Sequence, residues 1–333
     1  MRALLSRFPQ LAAFVPHLDL EVSETPLEQW QVHGASLLIK RDDLTSSVVG
    51  GNKVRALELL LAGADSGSTL LTVGTTGSTH ALAVAEFGRR LGVRTEVITW
   101  PQELHDVASA TAARLGAAAR VTHARSVAEA YLRATLRRVR GAGHVHWIPA
   151  GGSVPLGALG HVSAALELAD QLDGRALRAP DLLVVPLGTG GTAAGLLVGL
   201  AVAGLPTRVL GVQVVSQLVA NHRRVARLAR QTHALLGRLA GVSLPPLDVA
   251  RLSIERSAFG GAYGRPTTAA TAAAEQLRLA GGPRLDPTYS AKAFAVALDR
   301  ARRSSDDQIL FWLTFDGRWL GAPQSIFRET SDA

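Results

Sequence analysis

Short apolar runs, several of them β-branched, alternate with longer helical patterns along almost the whole 333-residue chain. The runs that predict strands are 36–41, 69–73, 94–99, 118–123, 144–149, 181–187, 208–215 and 308–315. The patterns that predict helices include 53–64, 79–91, 126–140, 156–172, 191–203 and 217–240. This alternation favours an α/β fold in which mostly parallel sheets carry helices on both faces and ligands bind at the carboxyl ends of strands.

Charge and cysteine content argue against several kinds of function. The net charge of +8 comes from arginines spread over several helical segments without interleaved aromatic residues, so no nucleic-acid partner is expected. With no cysteine, the chain has neither a thiolate nucleophile nor a Cys-type metal site, which fits a cytoplasmic location. No signal peptide is expected, because the first apolar stretches are interrupted. The uncharged segment 182–206 is broken by proline and glycine at 186–191, which predicts strand, loop and buried helix instead of a membrane span.

Lysine is scarce in this chain. Of its 35 Lys and Arg residues, only Lys40, Lys53 and Lys292 are lysines. Arginine serves most ion pairs equally well, but a guanidinium cannot condense with an aldehyde or move a proton near neutral pH. Lys53 follows two glycines in "VVGGNKVRALE" and begins a predicted helix, where the dipole favours the neutral amine. A Schiff-base or general-base role is predicted; the alternative is a surface lysine after a glycine turn.

The segment "VVPLGTGGTAAG", 184–195, predicts a strand that runs into a glycine-rich loop and then a helix. Such a loop offers free backbone N–H groups to an anion, and a phosphate is the natural ligand. A dinucleotide is disfavoured, because no acidic residue follows between Asp181 and Asp248, and no nucleotide P-loop lysine is present. A small phosphorylated ligand and a plain strand-to-helix turn both stay open.

Two further segments carry candidate site residues. In "TVGTTGSTHALAVA", 72–85, Ser78 and Thr79 open a helix and could hold a second anion such as a carboxylate, although capping by Ser78 is the structural alternative. Tyr263 and Tyr289 are two of only three tyrosines and lie beside turn-forming residues. A phenol can serve as proton donor or base if a neighbouring cation lowers its pKa.

No metal site is predicted. His144 and His146 share one strand face, but no third ligand accompanies them, so a structural role is predicted for both. A reactive lysine combined with a phosphate loop and no nucleotide motif indicates pyridoxal phosphate as the cofactor.

The motifs resemble a known family as a set. The segments "IKRDDLTSSVVGGNKVRALE", "GTTGSTHALAVA", "PAGGSVPLGALGHVSAALEL", "GTGGTAAGL" and "LDPTYSAKA" are similar to 1-aminocyclopropane-1-carboxylate deaminases and D-cysteine desulfhydrases, in the same order from about residue 39 to 293. The resemblance implies the two-lobed, three-layer αβα fold of the tryptophan-synthase-β-like enzymes (fold type II), with open, twisted sheets. Residues 1–50 and 161–333 would form the larger lobe and 51–160 the smaller one, in a homodimer.

The resemblance also implies roles for individual residues. Lys53 would form the Schiff base with the cofactor, Tyr263 and Tyr289 would be catalytic phenols, and Ser290 would face the pyridine nitrogen. The phosphate would be held by Gly188, Thr189, Gly190, Gly191 and Thr192. Asn52 and Thr79 would contribute to cofactor binding, and Ser78, Thr79 and His80 would bind the substrate carboxylate, with Ser78 also counted among the catalytic residues.

Three positions depart from the family pattern. This chain has Ser78-Thr79 where the family usually has Ser-Asn, and Arg55-Ala56-Leu57 where the family usually has Arg-Lys-Leu. Near the C-terminus it has Thr314-Phe315-Asp316-Gly317 where Thr-Gly-Gly is expected. Ser290, where the cyclopropane deaminases carry Glu, and His80, where they carry Gln, favour α,β-elimination of a small amino acid such as D-cysteine to pyruvate, ammonia and sulfide. Ring-opening deamination and a catalytically silent cofactor-binding protein are the alternatives.

Overall fold

Ten strands form two open sheets in the computed structural model, which describes residues 1–141, 143–304 and 306–321. The strands are β1 Leu27–Val32, β2 Ala35–Arg41, β3 Thr69–Thr75, β4 Arg94–Trp100, β5 Arg120–His123, β6 Val145–Ile148, β7 Leu182–Leu187, β8 Arg208–Gln213, β9 Leu252–Glu255 and β10 Ile309–Leu313. The helices are α1 Arg2–Arg7, α2 Lys53–Leu60, α3 Thr79–Arg90, α4 Asp106–Ala118, α5 Val127–Arg140, α6 Pro155–Gly174, α7 Gly191–Val202, α8 His222–Ala240, α9 Thr268–Leu279 and α10 Ser290–Arg303.

The two sheets draw on different parts of the chain. The larger has the order β1-β2-β10-β7-β8-β9, and within it only the β1–β2 pair is antiparallel. The smaller has the order β5-β4-β3-β6 and is entirely parallel. The predicted α/β fold with open, mostly parallel sheets is therefore confirmed. The lobe boundaries at residues 50 and 160 stay a prediction.

Alternate residues of the large sheet enter two cores. Leu183 and Val185 of β7 pack with α6, α7 and α8, whereas Leu182 and Val184 pack with α9 and α10. Every residue of β7 and β10 is buried, because each strand has helices on both faces and strands on both sides. This arrangement is the three-layer αβα architecture.

All eight predicted strands and six predicted helices are present, with small differences at their ends. One helix start is wrong: the helix predicted from 217 begins at His222, because the Asn221 side chain accepts from Arg224 N and caps it. The strands β1 and β9 were not predicted, since both lie at edges of the large sheet and their half-exposed residues give weak apolar patterns. The helices α1, α4, α9 and α10 were not predicted either.

The uncharged segment 182–206 forms β7, the glycine-rich loop and α7, as predicted. Among the residues that the structure describes, no helix combines the length and the apolar content that a membrane crossing requires.

A buried network of charges fixes α2 against the large sheet. Arg55 of α2 donates to both Asp42 carboxylate oxygens, the shortest bond being 2.8 Å, and to Glu167 of α6 at 3.0 Å. Lys40 of β2 donates to Glu167 at 2.6 Å, and the Trp312 indole of β10 donates to Asp42 at 2.8 Å. Burial alone would raise the pKa of Glu167, but Arg55 and Lys40 outweigh it and hold the pKa at about 2. The network therefore joins one helix of the smaller sheet's region to two strands of the larger sheet.

Candidate active site

One cavity of about 810 Å³ lies where the loops before α2, α3 and α7 meet. The sequence-predicted residues that line it are Asn52, Lys53, Ser78, Thr79, His80, Gly188, Thr189, Gly190, Gly191, Thr192, Tyr263 and Tyr289. The loops before α3 and α7 follow the carboxyl ends of β3 and β7, where parallel sheets bind ligands. Ser290 is fully buried but is not among the lining residues.

Lys53 is the first residue of α2, and its amine has no hydrogen bond or ion pair within the described residues. Burial disfavours the ammonium and lowers the pKa of Lys53 to about 8. The turn before it requires glycine: Gly51 has φ +106°, and a Cβ there would lie 2.7 Å from Thr314 O. The backbone thus delivers a largely desolvated, readily deprotonated amine into the cavity.

The glycine-rich loop between β7 and α7 is held in place by contacts with Val225 and Ser153. Gly190 has φ +94° and a Cβ there would lie 2.9 Å from a Val225 methyl group, so the turn excludes other residues. Ser153 Oγ bonds with Thr189 Oγ1 at 2.6 Å and accepts from Gly191 N at 3.1 Å. The first turn of α7 adds N–H groups that have no intrahelical acceptor, which makes the loop suited to an anion.

The loop before α3 combines a helix cap with cavity-lining groups. Ser78 Oγ accepts from Ala81 N at 3.2 Å, which is the predicted structural alternative, and Ser78 also lines the cavity. His80 is buried, its Nε2 lies 3.2 Å from Thr72 Oγ1, and burial together with Lys53 lowers its pKa to about 3. His80 is therefore neutral and can accept or donate a hydrogen bond without adding charge.

The two tyrosines form a pair. Their hydroxyl oxygens lie 2.5 Å apart and their rings meet edge to face with centroids 6.0 Å apart. The condition of a cation that lowers a phenol pKa is not met here: burial raises the pKa of Tyr263 and raises that of Tyr289 well above 10. Both phenols stay protonated near neutral pH, so they are suited to donate a proton.

The backbone before α10 is fixed by Asp286. Its carboxylate accepts from the backbone N–H groups of Thr288, Tyr289 and Ser290 at 3.0, 2.7 and 3.0 Å. This turn sets the direction of the Tyr289 ring, whose edge lies 3.6 Å from the position of a Cβ on Gly188. Tyr289 therefore adjoins the first residue of the glycine-rich loop.

Comparison with known proteins identifies the family. A family model described as "Pyridoxal-phosphate dependent enzyme" matches residues 18–314. The chain belongs to the pyridoxal-phosphate dependent enzymes. Its cofactor is therefore pyridoxal phosphate, as the sequence indicated.

Three curated relatives refine the placement within the pyridoxal-phosphate dependent enzymes. The chain is 37% identical to nocardicin C-9′ epimerase of Nocardia uniformis subsp. tsuyamanensis, covering 86% of this chain and 88% of that protein. It is 34% identical to D-cysteine desulfhydrase of Serratia proteamaculans (91% and 94% covered). It is 32% identical to a putative 1-aminocyclopropane-1-carboxylate deaminase of Pyrococcus furiosus (93% of each covered).

A solved structure agrees with these relatives. It is described as an ACC deaminase homologue, has a TM-score of 0.76 and 27% identity, and covers 95% of each chain. The resemblance to the deaminases and desulfhydrases is thus confirmed. The homodimer and the cytoplasmic location stay predictions.

The residues of the cavity fit the cofactor of this family. A free lysine amine matches its aldehyde, and the glycine-rich loop at the N-terminus of α7 matches its phosphate. Asn52 Nδ2 donates to Thr192 Oγ1 at 2.7 Å, which ties the residue before Lys53 to this loop. The two features that a pyridoxal-phosphate dependent enzyme requires are therefore physically joined.

Two side chains beside these features were not found from the sequence. Ser153 supports the glycine-rich loop, and His161 of α6 lies behind it with Nε2 3.4 Å from Thr192 Oγ1. Both lie in the quoted motif "PAGGSVPLGALGHVSAALEL", but nothing in that pattern shows that it packs against a loop thirty residues later. His146 Nε2 lies 2.6 Å from Leu60 O, a contact outside the cavity lining.

The departures from the family pattern have structural counterparts. Ala56 is buried with its Cβ 3.3 Å from the position of a Cβ on Gly152, which leaves little room for a longer side chain. Phe315 is buried and pairs with Gly51. Asp316 accepts from Gly50 N at 2.9 Å, and Arg318 donates to both of its carboxylate oxygens at 2.8 Å. Phe315 and Asp316 thus line the cavity beside the turn that precedes Lys53.

The pKa of Lys53 predicts a pH-dependent stability. Its pKa is about 8 in the folded protein and 10.5 without burial, so the unfolded chain binds more protons between these values and stability rises with pH there. Below pH 8 the desolvated ammonium costs about 3 kcal/mol, because each pKa unit corresponds to about 1.4 kcal/mol. We expect Lys53→Met without cofactor to be more stable than wild type by this amount at pH 7, and by almost nothing near pH 10.5. Urea denaturation of both proteins at both pH values measures this stability difference. A difference that is the same at pH 7 and pH 10.5 would contradict the prediction.

Proposed function

We propose that this enzyme catalyses α,β-elimination of a small amino acid, with D-cysteine as the first substrate. The net reaction consumes D-cysteine and water and yields pyruvate, ammonia and hydrogen sulfide. The observation that supports it best is the pairing of an unpartnered Lys53 amine with two protonated phenols in one cavity. This combination provides a base for the α-proton and a proton donor for the departing β-substituent.

The cofactor would be held by three sets of residues. Lys53 would bind it covalently, and Gly188, Thr189, Gly190, Gly191 and Thr192 would hold its phosphate. Asn52 and Thr79 would contact its ring, and Ser290, which is buried outside the cavity lining, would lie behind the ring on the side of its nitrogen. When bound, pyridoxal phosphate supplies an aldehyde for amino groups and a ring that accepts electrons from the substrate Cα. Ser290 is a neutral partner for that ring, which suits a reaction whose electrons leave with the β-substituent.

The substrate would be oriented by the loop before α3. Ser78, Thr79 and His80 bind its carboxylate through hydroxyl groups, the positive end of α3 and a neutral imidazole. The substrate amino group would take the place of Lys53 on the cofactor, and the Lys53 amine released in this way would remove the α-proton. Tyr289, with Tyr263 as its hydrogen-bond partner, would protonate the departing thiolate. Because both phenols keep their protons near neutral pH, neither has to be recharged by an external acid before the step.

Epimerisation at the α-carbon is the second candidate. It is favoured by the 37% identity to a curated epimerase over most of both chains. Epimerisation shares the removal of the α-proton by Lys53, but a proton then returns to the opposite face and no bond to the β-substituent breaks. The two functions therefore diverge after the first proton transfer.

One experiment separates the candidates. The cofactor-loaded enzyme is incubated in D₂O with D-cysteine, L-cysteine and the cyclopropane amino acid, and products and α-deuterium are measured. Pyruvate and sulfide from D-cysteine support elimination, whereas deuterium incorporation with inversion and without pyruvate supports epimerisation. Formation of 2-oxobutyrate from the cyclopropane substrate would instead establish ring-opening deamination. A loaded enzyme that exchanges no α-proton across a panel of D- and L-amino acids would be catalytically silent.

The phenol pair provides a sharper prediction for elimination. Tyr289→Phe removes the proposed proton donor, so we expect sulfide release to fall by about 10²-fold. Exchange of the substrate α-proton with D₂O should persist, because Lys53 performs that step. An equal loss of exchange and of sulfide release would show that Tyr289 is needed for binding or for proton removal instead.

A further inference from the structure

His161 is a buried histidine immediately behind the glycine-rich loop. It is 1% exposed, does not line the cavity, and faces Thr192 Oγ1 with its Nε2 at 3.4 Å. Its Nδ1 makes no hydrogen bond within the described residues. Burial, and after it the charges of Lys53 and Arg55, lower its pKa well below 6.5. His161 is therefore a neutral imidazole that carries a single N–H.

The hydroxyl of Thr192 can make only a few hydrogen bonds. It holds one proton and has two acceptor positions, and Asn52 Nδ2 already occupies one of them at 2.7 Å. If the proton of His161 is on Nε2, the imidazole fills the second acceptor position. The proton of Thr192 then has no protein acceptor in this group and points to the cavity that Thr192 lines.

The other tautomer has the opposite effect. With the proton on Nδ1, Nε2 becomes an acceptor and takes the Thr192 proton away from the cavity. It also leaves Nδ1 as a buried N–H donor without an acceptor among the described residues, whereas the other tautomer leaves it as an unpaired acceptor. An orphaned buried N–H is the rarer of the two situations in proteins, which favours the proton on Nε2. An anion in the cavity adds to this preference, because it offers the Thr192 proton a charged acceptor.

We propose that His161 is a positioning residue that, in its Nε2–H form, turns the Thr192 hydroxyl proton toward the phosphate of the cofactor. It acts through Thr192 and touches neither cofactor nor substrate. This inference rests on the proposed function only in taking 188–192 as the phosphate site. The triad Asn52–Thr192–His161 then couples the residue before Lys53 to the phosphate.

The tautomer can be observed directly in the cofactor-loaded, full-length enzyme. Histidine labelled with ¹⁵N gives distinct shifts for protonated and unprotonated ring nitrogens, and the His161 signals are identified by their absence from His161→Gln. We expect a neutral ring with its proton on Nε2. A proton on Nδ1, or a charged ring at neutral pH, overturns the proposal without any reference to activity.

The dissociation constant of pyridoxal phosphate provides a second readout. His161→Leu removes the donor and should weaken cofactor binding about tenfold, which is about 1.4 kcal/mol. His161→Gln restores an N–H donor and should stay within about threefold of wild type. His146→Leu is the matched control, because His146 bonds to Leu60 O away from the cavity, and it should leave the constant unchanged.

A double-mutant cycle with Thr192→Val isolates the proposed pathway. In that background His161→Leu should have little further effect on cofactor binding. An undiminished effect, or equal losses in the Leu and Gln variants, overturns the inference. If Thr192→Val itself leaves cofactor binding unchanged, the placement of the phosphate in the proposed function fails. A Thr192→Val loss accompanied by a neutral His161→Leu refutes only the role of His161.

Discussion

Replacement of Lys53 by arginine is expected to abolish the covalent link to pyridoxal phosphate and to lower kcat by on the order of 10⁴-fold or more. Arginine preserves a positive charge and a long side chain, but its guanidinium stays protonated and cannot condense with the aldehyde. The loss therefore tests the chemistry of the amine and not merely the presence of a cation. No other group in the cavity can replace it, because Lys53 is the only lysine among the lining residues that the structure describes.

The measurement is the visible spectrum of the purified enzyme, followed by borohydride reduction and peptide mapping. In wild type the reduced cofactor should be recovered on the peptide that contains Lys53. Lys292 is the matched control: it is also buried, but it donates to Phe259 O at 2.6 Å, so Lys292→Arg should retain the chromophore. Recovery of the cofactor on Lys292 or Lys40 would refute the assignment of Lys53.

Replacement of Arg55 by methionine is expected to destabilise the protein by about 3–5 kcal/mol. Arg55 is almost fully buried and pairs with both Asp42 and Glu167. Methionine fills similar space but leaves two carboxylates with less compensation in a desolvated region, and Lys40 continues to pair with Glu167 alone. The cost is the uncompensated burial of charge, since removing one partner of a buried pair is far more costly than replacing all of them.

Chemical denaturation with urea measures this loss, and a surface pair provides the control. Arg89 is 52% exposed beside Glu86, so Arg89→Met should change stability by less than about 0.5 kcal/mol. The dependence of the unfolding free energy on pH in the acid range is a second check of the network. The pKa of Glu167 is lowered to about 2 from 4.5, so its contribution to stability is present above pH 4.5 and is lost as the pH falls toward 2. Arg55→Met should flatten this part of the profile; an unchanged profile would contradict the network.

Local patterns predicted the parts of the site that depend on local geometry. The turn before Lys53 and the loop 188–192 could be predicted from composition, because tight turns and strand-to-helix loops require glycine at particular positions. The pKa of the phenols could not be obtained in this way: nothing near Tyr289 in the sequence shows that Tyr263 would be its partner and that both would be buried. Ser153 and His161 were missed for the same reason, since their importance arises only when α6 packs beside the loop before α7.

The same holds for the fold: elements with a strong local sequence pattern were predicted, and contacts between distant segments were not. Strands of the sheet interiors were predicted because burial on both faces makes their residues continuously apolar. The edge strands β1 and β9 lack that signal. The buried network around Arg55 was also beyond reach, since Asp42, Glu167 and Trp312 come from three distant segments whose meeting depends on the packed sheet.

The order of strands determines when during synthesis this enzyme can become competent. Strand β10 lies between β2 and β7, so the interior of the large sheet stays open until the ribosome has released residues near 313. The loop beside Lys53 is completed equally late, because Asn52 N donates to Thr314 O. We expect a nascent chain that already contains the lysine and the glycine-rich loop to lack this backbone bond until β10 has been made. The backbone beside Lys53 is therefore among the last parts of the site to reach its final geometry.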